Sequence, residues 1–584
     1  MDKNQVAALL DEVAALMALK EGSSSFEVRA YENAARSVSA LDGDIEQLTR
    51  EGKLKGTPGL GPTIIKRIEE AVNTGHIALL DELRATTPQV KLDMLRIAGL
   101  GPKRINAIYE QLHVNSIEEL EAVAKEGRIA PLPGFGKKTQ DKILQGIAFL
   151  SQHSGRFLYP VAEGEAERIR TALATLPEIV RMQVAGSLRR RRETIGDIDM
   201  VVSVADSADD EVRRKIMDVF TSQPSVQAIT GKGETKSSVV LSSGIAMDLR
   251  VVNDSQFPYT LHHFTGSKEH HIPLRRRALS MNMTINDYGL FRGKEPHLEL
   301  VPCKDEADIY AALGMAYIEP ELREDMGEIE AAVQGTLPVL VEESDLRGVL
   351  HVHSTWSDGK NTIREMAEAS IARSFAYLGI TDHSKAAAYA GGLNEDAVRR
   401  QQEEIDALNE EYAGRLRILK GTECDILRDG SLDYADDVLQ SFDFVIASIH
   451  SNFNLPPEEQ TQRMIRAVSN PYVNIIGHPT GRILLGREGY TLDIEAVIDA
   501  AAEHGVCIEI NASPLRLDLD WRYLHRARDK GIKIPIDPDA HALAELDEMY
   551  YGVGVARKGW LRARDVLNTM QTEELLDFFK RQHP

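Results

Sequence analysis

Residues 186–199 read Gly-Ser-Leu-Arg-Arg-Arg-Arg-Glu-Thr-Ile-Gly-Asp-Ile-Asp. The run continues as Met-Val-Val-Ser-Val, so its C-terminal part predicts a strand. Successive strand side chains alternate between faces, which puts Asp197 and Asp199 on the same one. A third acid, Asp248, sits in a second β-type run, Met-Asp-Leu-Arg at 247–250. Three clustered carboxylates repel one another unless divalent cations neutralise them. That is the donor set two-metal phosphoryl transfer requires. Gly186 and Ser187 fall at a strand-to-helix turn, where backbone N–H groups and a hydroxyl can hold a triphosphate tail. A DxD pair alone is usually a solvated loop of acids. The Gly-Ser turn at this distance before it separates this pair from that reading.

Upstream, residues 1–150 read as nearly all helix, with apolar positions at helical spacing in stretches such as NQVAALLDEVAALMALK. Three turns share one pattern there: Pro58-Gly59-Leu60-Gly61, Ala98-Gly99-Leu100-Gly101 and Pro133-Gly134-Phe135-Gly136. Each pair of glycines permits a tight turn and a close backbone approach to phosphate at the next helix start. Basic residues follow each turn: Lys66 and Arg67, Lys103 and Arg104, Lys137 and Lys138. The pattern resembles the helix-hairpin-helix motif, which grips a DNA backbone without reading its sequence. The resemblance assigns backbone contact to Gly59, Gly61, Gly99, Gly101, Gly134 and Gly136.

Downstream, residues 155–300 alternate β-type runs with helical stretches and predict an α+β sheet domain. Residues 318–345 are acidic, hold two prolines and predict a helical connector. From 346 the pattern is regular: GVLHVH, YLGIT, RILKGT, DFVIAS, VNIIGH, VCIEIN and IKIPID recur with helical segments between them. Seven strand–helix units in series predict a parallel, barrel-like α/β domain. His351, His353, Asp358, His383, Glu423, His450, His478, Asp539 and His541 lie at or just after the ends of these strands, on the rim where such folds carry catalysis. One histidine at a strand end is more often a hydrogen-bonded core residue. Nine N/O donors in order over six strand ends point to a cage for two or three transition-metal ions. Imidazole and carboxylate without thiolate suit Mn2+, Zn2+ or Fe2+.

Composition bounds the partners. The 584 residues carry 43% hydrophobic residues and a net charge of −22. Such a charge alone argues against a nucleic-acid binder. The surplus of acid falls almost wholly after residue 316, so a polyanion-binding surface is expected in the first half. Bound cations can still let an acidic half process phosphodiesters. Cys303, Cys424 and Cys507 are far apart and form no thiolate zinc pattern, and a reducing cytoplasm fits. No apolar run approaches the roughly 18 residues that span a bilayer. A monomer without membrane attachment is expected.

The stretch Gly186–Asp199 resembles the family X DNA polymerases, the family of DNA polymerase beta. Gly233-Glu234-Thr235-Lys236, Asp248 and His263-Phe264-Thr265-Gly266-Ser267 extend the resemblance, which spans roughly 1–320. It implies that Asp197, Asp199 and Asp248 are catalytic and bind two Mg2+ ions. It implies that Gly186, Ser187, Arg190 and Gly196 contact the incoming nucleotide, with Phe264 and Gly266 against its sugar and Arg275 at the template strand. The partners implied are gapped or 3′-recessed DNA and dNTPs.

The family's aromatic residue before Phe-Thr-Gly is His263 here, and an arginine two before the third aspartate is Ala246. The Schiff-base lysine of the repair lyase aligns with Arg67, and its phosphate-binding lysines with Glu27 and Thr63. Arginine stays protonated and cannot act as the amine nucleophile, so weak or absent lyase activity is expected by that route. Lys66 is the neighbouring alternative.

The C-terminal set resembles the PHP (polymerase and histidinol phosphatase) domain over about 346–575, with all nine ligand positions filled. Joined to a family X polymerase, the domain implies an Mn2+- or Zn2+-dependent 3′–5′ exonuclease that also processes 3′ ends. The expected architecture is multidomain: an N-terminal helical domain over 1–85, a second helix-hairpin-helix domain over 86–152, a palm over 153–256 and a thumb over 257–320. A linker (321–345) and a distorted seven-stranded PHP barrel (346–575) complete it. The expected function is gap-filling DNA repair synthesis with end trimming. Three rivals are a nuclease with a weak palm, a non-catalytic DNA-end scaffold, and a small-molecule phosphatase fused to an unrelated partner.

Overall fold

The structure is a computed structural model. It describes residues 3–20, 24–39, 41, 45–95, 97, 100–152, 154–293 and 297–582. The chain forms two compact units, Met1–Ser154 and Gly155–Pro584. Among the described residues, no helix is long and apolar enough to cross a membrane.

The first unit is helical. Its core gathers Leu10, Val13, Leu60, Ile64, Ile68, Leu100, Ile105 and Ile108, so the apolar residue between two of the glycine pairs is a core anchor. Gly61 and Gly101 precede helices Pro62–Thr74 and Pro102–Leu112, each with proline in the first turn, where a missing N–H costs nothing. Gly59 has φ +86°, and a Cβ there would lie 2.5 Å from Ser37 Oγ, so this turn needs glycine.

The second unit opens with a five-stranded sheet in the order Ile179–Val184, Asp197–Val204, Ala246–Asn253, Lys236–Leu241, Val226–Lys232. The second and third strands run parallel, with Asp199 opposite Asp248 in register. Ile198, Met200 and Val202 point the other way, into a core shared with helices Tyr159–Leu173 and Asp210–Thr221. This alternation turns the acids out. A smaller lobe follows, with helices Phe257–Thr265, Lys268–Ser280 and Glu306–Ala312 around a three-stranded sheet.

The acidic connector is packed. It forms short turns at Pro320–Leu322 and Glu343–Asp345 and one short helix, Glu328–Gln334, while Glu321, Arg323 and Glu328 are buried. Glu321 and Glu324 turn inward because Arg557 and Lys558 meet them there.

Beyond it, six parallel strands follow sequence order: Gly348–Val352, Tyr377–Ile380, Arg417–Asp425, Phe444–Ser448, Ile475–Ile476 and Cys507–Ile508. The sixth predicted strand is split. Past Glu509, Ile510–Asn511 leaves Ile475–Ile476 and pairs instead with Ile536–Asp537. A bridge between Val352 and Ala540 returns the last segment to the first strand, so the sheet curls round.

Candidate active sites

The first site sits on the face of the five-stranded sheet. Gly186 has φ +61°, and a Cβ there would lie 2.6 Å from Asp199 Oδ2. Only glycine lets the turn approach the acid. The Ala185 amide donates to the Asp199 carbonyl at 2.8 Å, which ties the turn to the strand. Burial pushes the Asp199 carboxyl up to about 7, and the like charges of Asp197 and Asp248 add to the shift. Three carboxylates on one sheet face fit hard divalent cations. Lys236 Nζ lies 2.5 Å from Asp248 Oδ2. Oxygen atoms of the three acids are not among the groups of potential ligands that all lie within 4.8 Å of one another. The structure therefore shares a face among them without drawing them into one tight knot.

The other residues expected at the nucleotide surround this face. Ser187 and Gly196 are half-buried beside the acids. Arg190 donates from Nη1 to the Thr265 carbonyl at 2.5 Å and from Nε to Glu324 Oε1 at 3.1 Å. A Cβ on Gly266 would stand 3.1 Å from Arg190 Nη1. Phe264 carries the Arg250 guanidinium 3.9 Å from its ring centre. His263 stacks on His271, whose Nε2 lies 3.0 Å from the His263 carbonyl oxygen. Arg275 is exposed on the helix Lys268–Ser280. In the helical unit, Arg67 pairs with Glu70 at 2.9 Å. Gly99 lies outside the described residues.

The second site gathers all nine C-terminal candidates. Three overlapping groups have their ligand atoms within 4.8 Å: His353, Asp358, His383 and His541; His351, His353, Glu423 and Asp539; and His383, Glu423 and His450. Glu423 is the hub. Its Oε2 lies 3.0 Å from His383 Nδ1 and 3.6 Å from both His351 Nε2 and His353 Nε2. Its Oε1 lies 2.9 Å from His478 Nε2 and 3.2 Å from His450 Nε2. Burial alone would raise the Glu423 carboxyl, but His450, His383 and His351 hold it well below its usual range. Buried atoms His351 Nε2, His353 Nδ1, His383 Nδ1, Glu423 Oε2 and His478 Nδ1 make no hydrogen bond. Buried polar atoms ordinarily find partners, so a pocket of such donors fits metal ions. His478 and Asp539, neither a glycine, take φ +24° and +56°, strain of the kind concentrated at functional positions.

A surrounding layer was not legible as ligands. Glu509 Oε1 lies 2.6 Å from His351 Nδ1, and its Oε2 accepts the His478 amide at 2.7 Å. Asp382 accepts from Ser354 Oγ at 2.6 Å, Ser357 Oγ at 2.5 Å and Gln401 Nε2 at 2.6 Å, holding the loop that carries Asp358. Such partners orient metal-binding imidazoles. An acid inside an apolar strand, as in VCIEIN, was the one available signal. Tyr389 stands at the rim, 73% exposed, with its ring 6.4 Å from that of His383. Its loop is held by the Leu393 amide on the His383 carbonyl at 2.8 Å.

Comparison with known proteins matches five families along the chain. A helix-hairpin-helix domain family matches residues 1–77, and a SAM-like helix-hairpin-helix tandem matches 91–148. The DNA polymerase beta palm matches 161–234, the DNA polymerase beta thumb 260–324 and the PHP domain 350–513. Over 583 residues, all of both chains, it is 39% identical to a DNA polymerase/3′-5′ exonuclease PolX of Bacillus subtilis (strain 168). A probable phosphatase of Thermoanaerobacter sp. (strain X514) is 32% identical over 231 residues, 38% of this chain and 89% of that protein. Another from Acetivibrio thermocellus is 36% identical over 205 residues, 34% of this chain and 80% of that protein.

Proposed function

The chain belongs to the family X DNA polymerases with a C-terminal PHP domain, and from that membership we propose how its two sites divide the work. It is a DNA polymerase with a 3′–5′ exonuclease. The carboxylate face adds nucleotides at short gaps in DNA, and the imidazole cage trims 3′ ends before synthesis.

Asp197, Asp199 and Asp248 would hold two Mg2+ ions. Bound there, such ions supply charge neutralisation to nucleotidyl transfer. Gly186, Ser187, Gly196 and Arg190 receive the triphosphate, Phe264 and Gly266 flank its sugar, and Arg275 meets the template. Gly59, Gly61, Gly99, Gly101, Gly134 and Gly136 meet the DNA backbone. In the second site, the nine donors would hold two or three Mn2+ or Zn2+ ions, which polarise water and phosphoryl oxygens for hydrolysis. Glu509 keeps the His351 ring oriented, and Asp382 holds the Asp358 loop in place.

One observation carries this reading: two separate donor sets, one of carboxylates on a polymerase palm and one rich in imidazole on a PHP sheet. A gapped-duplex assay with and without dNTPs tests it. Asp197→Ala with Asp199→Ala should abolish templated addition and spare the nuclease; His351→Ala with His353→Ala should do the reverse. Persistent synthesis in the first variant refutes the palm assignment. The probable phosphatases that match the C-terminal half also favour removal of a 3′-phosphate by this site, which a 3′-phosphorylated primer tests.

A further inference from the structure

Lys558 ends the helix Met549–Lys558 in the C-terminal half and is 1% exposed. Its ammonium has three oxygen partners. Nζ donates to Glu324 Oε1 at 2.6 Å, to the Arg190 carbonyl at 2.9 Å and to the Glu321 carbonyl at 3.3 Å. The indole ring of Trp521 lies 5.0 Å away. Glu324 belongs to the connector, and its carboxylate is shared: Oε1 also takes Arg190 Nε at 3.1 Å, and Oε2 takes Arg192 Nη1 at 3.3 Å. Three cations from two domains thus converge on one acid.

Arg190 is the residue for which this matters. Its guanidinium bridges Glu324 and the Thr265 carbonyl, beside Gly266. A triphosphate arriving there must draw Arg190 from Glu324 or share it. How tightly Glu324 holds Arg190 depends on what else neutralises Glu324. A carboxylate at a nearly buried site that loses one of three cations binds the remaining two more strongly, because little solvent screens it.

We infer that Lys558 of the PHP domain is a positioning residue for nucleotide addition: by sharing the charge of Glu324, it leaves Arg190 available to the triphosphate of the incoming dNTP. This rests on the reading that Arg190 receives the triphosphate. Lys558 also pins the Arg190 carbonyl, so the turn that carries Ser187 and Arg190 is braced from outside its own domain.

Steady-state gap filling by the full-length protein tests this. Lys558→Met should raise the dNTP KM about tenfold, the scale of one charge-assisted hydrogen bond, with kcat within about twofold. Exonuclease rate and bound metal per chain should not change. Adding Glu324→Gln to Lys558→Met should bring KM back to within about twofold of wild type, since the competing charge is gone. An unchanged KM in Lys558→Met overturns the inference. So does a raised KM that Glu324→Gln fails to correct, or an exonuclease rate that falls in parallel. If Lys558→Met does not fold, Glu324→Gln alone decides: a lowered KM supports the inference and an unchanged one overturns it. Arg190→Ala separates the two levels, because an unaltered dNTP KM there refutes the triphosphate reading itself.

Discussion

Glu509 lies outside the nine-position ligand pattern, yet it touches two of its members. One oxygen meets His351 Nδ1 and the other takes the His478 amide. Glu509→Gln should therefore weaken metal binding or exonuclease rate by about 10- to 100-fold while leaving gap filling intact. Metal titration followed by both assays reads this, and equal affinity in the two proteins would remove Glu509 from the site. Tyr389 is a different case, an exposed ring held on a braced loop beside His383. Base stacking on an aromatic ring is worth about 1–3 kcal/mol, so Tyr389→Ala should raise KM for a DNA 3′ end roughly tenfold, with Tyr389→Phe near wild type. A KM equal in all three proteins would take Tyr389 off the substrate path. The nine candidate donors were legible in the sequence because they lie at or just after the ends of apolar runs. Glu324 and Lys558 were not, since 234 positions separate them and neither stands in a motif.

Among the elements, helices Phe257–Thr265 and Lys268–Ser280 gather four imidazoles, His262, His263, His270 and His271, of which His262 and His270 pack against Tyr310. Burial pushes His271 down to about 4, with the bond to the His263 carbonyl opposing. A base whose folded value is depressed stabilises the fold above its unfolded value, near 6.5, and that stability is lost as pH falls toward 4. The loss for one such group is about 1.4 kcal/mol per pH unit across that window. His271→Gln retains a donor for the His263 carbonyl and should flatten the acid limb of the melting curve between pH 6.5 and 4. Superimposable limbs for the two proteins would refute that source of acid lability. Four of the five palm strands and the strands of the curled parallel sheet were readable from β-type apolar runs, whereas the mostly exposed Val226–Lys232 was not. The break at Glu509 was not, because isoleucines flank it on both sides and either neighbour strand satisfies them.

For the molecule as a whole, the cation–acid contacts around the connector join the palm to the PHP half. Arg557 binds Glu321 at 2.7 Å, Arg191 lies 4.4 Å from the Tyr550 ring, and Tyr550 Oη donates to Glu163 at 2.7 Å. Ions bound in the C-terminal cage should therefore protect the polymerase as well. At 100 times its dissociation constant, a ligand adds about 2.7 kcal/mol to folding. Heating with Mn2+ or Zn2+ before dilution into a common Mg2+ assay should raise the temperature at which gap filling is lost. The same protection should be absent in His351→Ala with His353→Ala. Protection in both proteins, or in neither, would mean the halves melt apart. The order of the domains was legible in the sequence, but not this joint, because a run of acids between two folds predicts a connector and does not show which cations it meets.

The chain has three tryptophans. Trp356, two residues before Asp358, gives its indole N–H to Glu404, Trp560 belongs to the core of the smaller polymerase lobe, and Trp521 has Lys558, Arg192 and Arg522 within 6 Å of its ring. Indole emission shifts with nearby charge, so the protein carries its own optical probe at the joint. With Trp356 and Trp560 replaced by phenylalanine, a dNTP titration followed by fluorescence would register any rearrangement around Glu324 with no label attached.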